Sequence, residues 1–149
     1  MDSEHKITLT YSNRETSFKI SSAVIWRNSD SSVCIEIEGE DIKFDGNNID
    51  SAYGAPMINA TWKFSSDSFE ALSKTKVFIP ESYDPEIEDH VSTLYLSEHL
   101  DFDECNLSFG ELKEGTIPIT FSGISPSDPT GTEPDEGIKV SGSAILTIQ

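Results

Sequence analysis

Apolar side chains recur at every second position along most of this chain. Ile7, Leu9 and Tyr11 define a first strand, and Phe18, Ile20, Ser22, Val24 and Trp26 share one face of a longer second one. Val33, Ile35 and Ile37 follow, with Glu36 and Glu38 opposite. Ile42 and Phe44 mark a short strand, and Ile58, Ala60, Trp62 and Phe64 repeat the period. Such alternation places apolar groups on one side of a pleated strand, as a half-buried sheet requires.

One helical signal interrupts. Asp67-Ser-Phe-Glu70 reads as an N-cap with a carboxylate three residues on, and Phe69 and Leu72 then share a face, so a short helix is expected near residues 68–75. Extended character resumes at Lys76-Val-Phe-Ile-Pro80, where the proline fits a strand end. Val91, Thr93 and Tyr95 alternate with Leu94 and Leu96. Leu107 and Phe109, then Lys113-Glu114-Gly115, then Ile117, Ile119 and Phe121 read as a hairpin with a short glycine-containing loop. Pro118 predicts an edge or a bulge in its strand. Residues 124–136, rich in Pro, Ser and Thr, are expected to form a flexible loop, and Ile138, Val140, Gly142, Ala144, Leu146 and Ile148 give a final paired strand.

About 9–10 short strands with close turns and one short helix predict an all-β class, an antiparallel β-sandwich or flattened barrel. A length of 149 residues fits a single domain, 1–149, and 36% hydrophobic residues suffice for a core. The start of the chain has neither a basic nor an apolar stretch, and no apolar run approaches a membrane span, so a soluble, cytoplasmic protein is expected.

Charge sharpens the picture. Residues 77–138 carry fifteen Asp and Glu against one basic residue, Lys113, whereas residues 1–76 hold twelve acids and eight bases. A localised negative field attracts a positive partner and repels nucleic acid and anionic membrane. The densest stretches are Glu81-Ser-Tyr-Asp-Pro-Glu-Ile-Glu-Asp-His90 and Glu98-His-Leu-Asp-Phe-Asp-Glu104. Their plainest role is a solvated surface. Their sharper role is an electrostatic docking face, with Tyr83, Ile87, Leu100 and Phe102 as apolar anchors.

Other chemistry finds little footing. Asp101-x-Asp103 opens like a calcium loop, but Cys105, Asn106 and Leu112 fall where an oxygen ligand, glycine and glutamate are needed. Asp45-Gly-Asn-Asn-Ile-Asp50 reads as a turn. His90 and His99 do not complete a zinc pattern, and no metal or cofactor is expected. Nucleophile elbow, P-loop, dinucleotide and Cys-x-x-Cys motifs are absent, so no enzyme is expected. Cys34 and Cys105 stand beside carboxylates that raise a thiol pKa, which makes them poor nucleophiles.

Asp103-Glu-Cys-Asn-Leu-Ser-Phe-Gly-Glu-Leu-Lys-Glu-Gly-Thr-Ile-Pro-Ile-Thr-Phe-Ser-Gly123 resembles a strand–turn–strand signature of small bacterial immunity-type proteins. The matching elements are Leu107-Ser-Phe-Gly110, Gly115, Ile117-Pro118 and Gly123. Such proteins neutralise a toxin deployed between competing bacteria. The resemblance implies a cytoplasmic inhibitor that occludes one cognate toxin, and it carries over no binding residue.

The expectation is therefore a non-enzymatic domain that binds a basic protein, for example a nuclease toxin, through Tyr83, Glu86, Glu88, Asp89, Glu98, Asp101, Phe102, Asp103 and Glu104. The alternative is a β-sandwich binding a small ligand or carbohydrate, with Trp26, Trp62 and Tyr53 as stacking platforms. Against that stands the core packing expected for both tryptophans on apolar faces.

Overall fold

The computed structural model describes residues 5–11, 14–28, 31–40, 55–66, 68–96, 99–126 and 137–149. Twelve strands follow in chain order: β1 (Lys6–Tyr11), β2 (Arg14–Arg27), β3 (Ser32–Gly39), β4 (Met57–Lys63), β5 (Lys76–Ile79), β6 (Tyr83–Asp84), β7 (Asp89–His90), β8 (Ser92–Tyr95), β9 (His99–Asp101), β10 (Asp103–Phe109), β11 (Thr116–Ser125) and β12 (Ile138–Ile148). Ten of them form one sheet in the order β5-β10-β11-β12-β1-β2-β3-β4-β8-β9, and β6 and β7 pair as a separate hairpin. Every pairing is antiparallel except a two-residue parallel contact of Thr147 and Ile148 with Val24 and Ile25. The sheet is not closed into a barrel, and its layers pack as in a sandwich.

Strand β2 carries the sheet from one layer to the other. Its first half pairs with β1 and its second half with β3. At the far end, β9 leads through Phe102 alone into β10. Between the layers, the Trp62 ring of β4 lies 5.8 Å from that of Phe109 in β10. The core is built from inward residues of both layers, with Phe18, Phe102, Phe121, Ile35, Ile58 and Leu94 among its fully buried members.

Most predicted strands occupy their predicted places, but two bulges reverse the inward parity. Register shifts between Ile20 and Ser22, so Phe18 points inward at an even position and Ile25 at an odd one. An extra residue in one strand turns every later side chain to the other face. Val24 and Trp26 thus leave the core face on which alternation had put them. A second shift between Asp103 and Asn106, with Glu104 at φ 51°, makes Cys105, Leu107 and Phe109 the inward set after Phe102.

Three further expectations are corrected. The helix is a single 3-10 turn, Phe69–Leu72, capped by Ser68, whose side chain accepts from the Glu70 amide at 3.0 Å. Pro118 sits in β11, an interior strand, not at an edge. Its missing N–H is tolerated because β10 ends at Phe109, and the Gly110 carbonyl is taken by the Lys74 amide at 3.0 Å. Ile124 and Ser125, expected in the loop, are still in β11, paired with Lys139 and Ile138. Residues 127–136, expected to complete that loop, and the strand expected at Ile42 and Phe44 lie outside the described residues. The predicted β10–β11 turn is present, with Glu114 at φ 49° and Gly115 at φ 82°. Two positive φ values match the primed turn that strand twist favours.

Candidate functional site: an acidic hairpin on a serine-locked corner

After β5 the chain runs through Pro80, Glu81 and Ser82 toward the corner where β9 becomes β10. The Pro80 carbonyl accepts from the Glu104 amide at 2.9 Å, and the Ser82 carbonyl from the Val91 amide at 2.7 Å. Ser82 and Ser92 are both buried. The Ser82 hydroxyl donates to the Ser92 carbonyl, and the Ser92 hydroxyl donates to the Phe102 carbonyl at 2.7 Å. The Ser82 amide donates to Asp103 Oδ1 at 2.8 Å. Buried polar groups are retained where each finds a partner, and this chain of bonds fixes both ends of the β6–β7 hairpin on the corner.

The hairpin projects from that lock. Tyr83 pairs with His90 and Asp84 with Asp89, around a turn of Pro85, Glu86, Ile87 and Glu88. Asp84 Oδ1 accepts from the Glu86 amide at 2.9 Å, which tightens the turn. Glu81, Glu86, Glu88 and Asp89 are exposed, and so are Tyr83 (44%) and Ile87 (57%). The Tyr83 ring meets the His90 imidazole edge-on at 5.2 Å. His90 Nε2 lies 3.6 Å from Asp101 Oδ1 and joins the hairpin to β9. Among the described residues, no lysine or arginine pairs with any of these carboxylates. Asp84 and Asp89 stand directly opposite across the strands, an arrangement that repels.

The nine residues expected to meet a partner therefore divide. Tyr83, Glu86, Glu88, Asp89 and Asp101 are together on or beside the hairpin, and Glu81, Asp84 and Ile87 join them. Phe102 is fully buried and offers a partner nothing, and Leu100 is buried as well. Their alternation with Asp101 and Asp103 was the period-two signal of an inward face. Asp103 is half-buried and engaged by Ser82. Glu104 turns to another surface, where it lines a cleft of about 410 Å³ with Asn106, Ser122, Lys139 and Ser141. Glu98 lies outside the described residues.

Two serines at ten-residue spacing, Ser82 and Ser92, gave no recognisable signal, because their partnership exists only through the fold. The two tryptophans of the alternative reading do not share a face. Trp62 packs against Phe109, Trp26 is held on the outer face by a bond from its Nε1 to Asn28 Oδ1 at 3.2 Å, and Tyr53 lies outside the described residues. Among the described residues, no group of three His, Cys, Asp or Glu side chains converges to hold a metal ion, and no helix is long and apolar enough to cross a membrane. The Asp45–Asp50 stretch is outside them. Both cysteines are buried and unbridged. Burial, rather than neighbouring carboxylates, pushes the Cys105 thiol up to about 12.

No family model, curated protein or solved structure matches the chain. The three glycines among the positions that carried the likeness to immunity-type proteins each have a local role. Gly110 packs on the Pro118 ring, Gly115 supplies a positive φ, and Gly123 lies under the Phe102 ring.

Proposed function

We propose that this chain is a non-enzymatic binding domain that docks a basic protein on its acidic hairpin, in the manner of an immunity-like inhibitor that occludes a basic toxin such as a nuclease. The observation that carries the reading is a projecting hairpin whose carboxylates have no lysine or arginine partner among the described residues and surround two exposed apolar side chains, Tyr83 and Ile87. Charge at that density steers a cationic partner and sets the association rate, while the apolar pair supplies a small desolvated centre that slows dissociation. A partner's lysines and arginines would relieve the repulsion between Asp84 and Asp89, so binding would also stabilise the domain.

The test uses the quadruple variant Glu86→Gln, Glu88→Gln, Asp89→Asn and Asp101→Asn. Basic proteins retained by the wild type at low salt are identified, and their association rates are measured with both forms. The variant should associate about tenfold or more slowly at low salt and lose most of its salt dependence. If the retained protein is a nuclease, wild type should stop its cleavage at one equivalent. Equal rates for the two forms, or no retention of a basic protein, would reject the reading.

A further inference from the structure

We infer a second site, on a different surface, that binds the phosphate group of a small phosphorylated ligand. In β1 and β2, Lys6 and Lys19 are a direct cross-strand pair. Both belong to the outward set, since Ile7 and Phe18 beside them are buried. Like charges placed opposite one another repel, and neither lysine has an acidic salt-bridge partner among the described residues. In a chain of net charge −17, with only ten lysines and arginines, two cross-strand lysines without an acidic partner among the described residues are an unusual arrangement.

They line a cleft of about 620 Å³ together with His5, Ser17, Ile20 and Glu40. That volume is in the range of sites for small organic ligands. The flanking residues are already fixed. The Ser143 hydroxyl lies 3.4 Å from His5 Nδ1, and Ser143 is the other cross-strand neighbour of Lys6. The Ser17 hydroxyl is held 2.9 Å from that of Thr8. The Glu40 amide donates to the Lys19 carbonyl at 2.8 Å, which sets Glu40 at one rim.

Two ammonium groups, an imidazole and a hydroxyl suit an oxyanion with several acceptor oxygens, and the apolar wall at Ile20 suits an organic body attached to it. The carboxylate of Glu40 disfavours negative charge at its rim and so confines the anion to the lysine side. The negative field of the whole molecule repels long polyanions, which leaves a small ligand as the occupant.

Calorimetric titration and thermal unfolding with inorganic phosphate and with phenyl phosphate, against chloride at matched ionic strength, test the site. Both phosphates should raise the unfolding midpoint and phenyl phosphate should bind more tightly, because its ring meets Ile20. Lys6→Gln and Lys19→Gln should each weaken binding about tenfold or more and should not lower the midpoint without ligand. Glu40→Gln should tighten binding. Lys76→Gln, on β5 and outside the cleft, removes the same charge and should leave affinity unchanged. Midpoints that are the same in phosphate and chloride, or equal losses from Lys76→Gln and Lys19→Gln, would overturn the assignment.

Discussion

Replacing Phe102 with alanine tests the corner on which the hairpin stands. Phe102 has no solvent exposure, and a β-carbon built on Gly123 would fall 2.4 Å from its Cε1 and 2.8 Å from its Cζ. Removing a fully buried phenyl ring costs about 3–5 kcal/mol. For a domain of this size each kcal/mol lowers the unfolding midpoint by about 2–4 °C, so Phe102→Ala should lower it by about 6–20 °C. Gly123→Ala should cost about 1–3 kcal/mol, because the ring must move to admit the methyl group. The two losses should not add. Once the ring is gone the added methyl has space on that side, although the Asp103 carbonyl at 3.0 Å still crowds it. Urea unfolding of the single and double variants gives the coupling, expected at about 1–2 kcal/mol in favour of the double variant. Strict additivity, or a loss below about 1 kcal/mol for Phe102→Ala, would mean that this ring is not packed in the core against Gly123.

The Ser92→Ala variant should lose about 1–3 kcal/mol by urea unfolding, since it strips the Phe102 carbonyl of a buried donor; a loss like that of a surface substitution would contradict the serine lock. Gly115→Ala should cost about 1 kcal/mol, because φ at that position is +82°, and the shortfall should vanish for Gly115→Asn, which tolerates that region better. The Cys105 thiol, raised from 9.0 to about 12 by burial, keeps its proton in the folded state after the unfolded chain has lost it. Its contribution to stability is therefore full below about pH 9 and declines as pH rises toward 12. Unfolding measured from about pH 8 to about pH 11 should show a shallower alkaline decline for Cys105→Ala than for wild type, and parallel curves would count against the burial argument.

Sheet-forming segments were legible because period two is a local property. Ile138 to Ile148 alternate in the sequence and do so in β12, and the Lys113–Thr116 turn follows from a glycine that accepts positive φ. What stayed hidden depends on partners distant in sequence. The bulge after Ile20 adds a residue to a run of small polar side chains, so nothing in the composition announces that Trp26 will face away from the core. Pro118 reads as an edge residue unless it is known that β10 stops one residue short of it and that Lys74 takes the spare carbonyl. At the candidate site, charge segregation picked out carboxylates that the fold gathers on one hairpin. Phe102 was misplaced because its acidic neighbours outweighed its own alternation with Leu100.

Strand β12 lies in the middle of the sheet, between β11 and β1. The last of the twelve strands in chain order thus supplies the central plank, and the strands synthesised before it wait as two incomplete pieces with open edges. Translation runs at about 5–20 residues per second, so a nascent chain would pass about 1–5 seconds with β1 and β11 bare between synthesis of Ser125 and of Ile148. Premature stops upstream of Ile138 should leave species that are captured by chaperones or degraded rather than weakened versions of the folded domain, and the acidic block, already exposed by then, would help keep such intermediates apart.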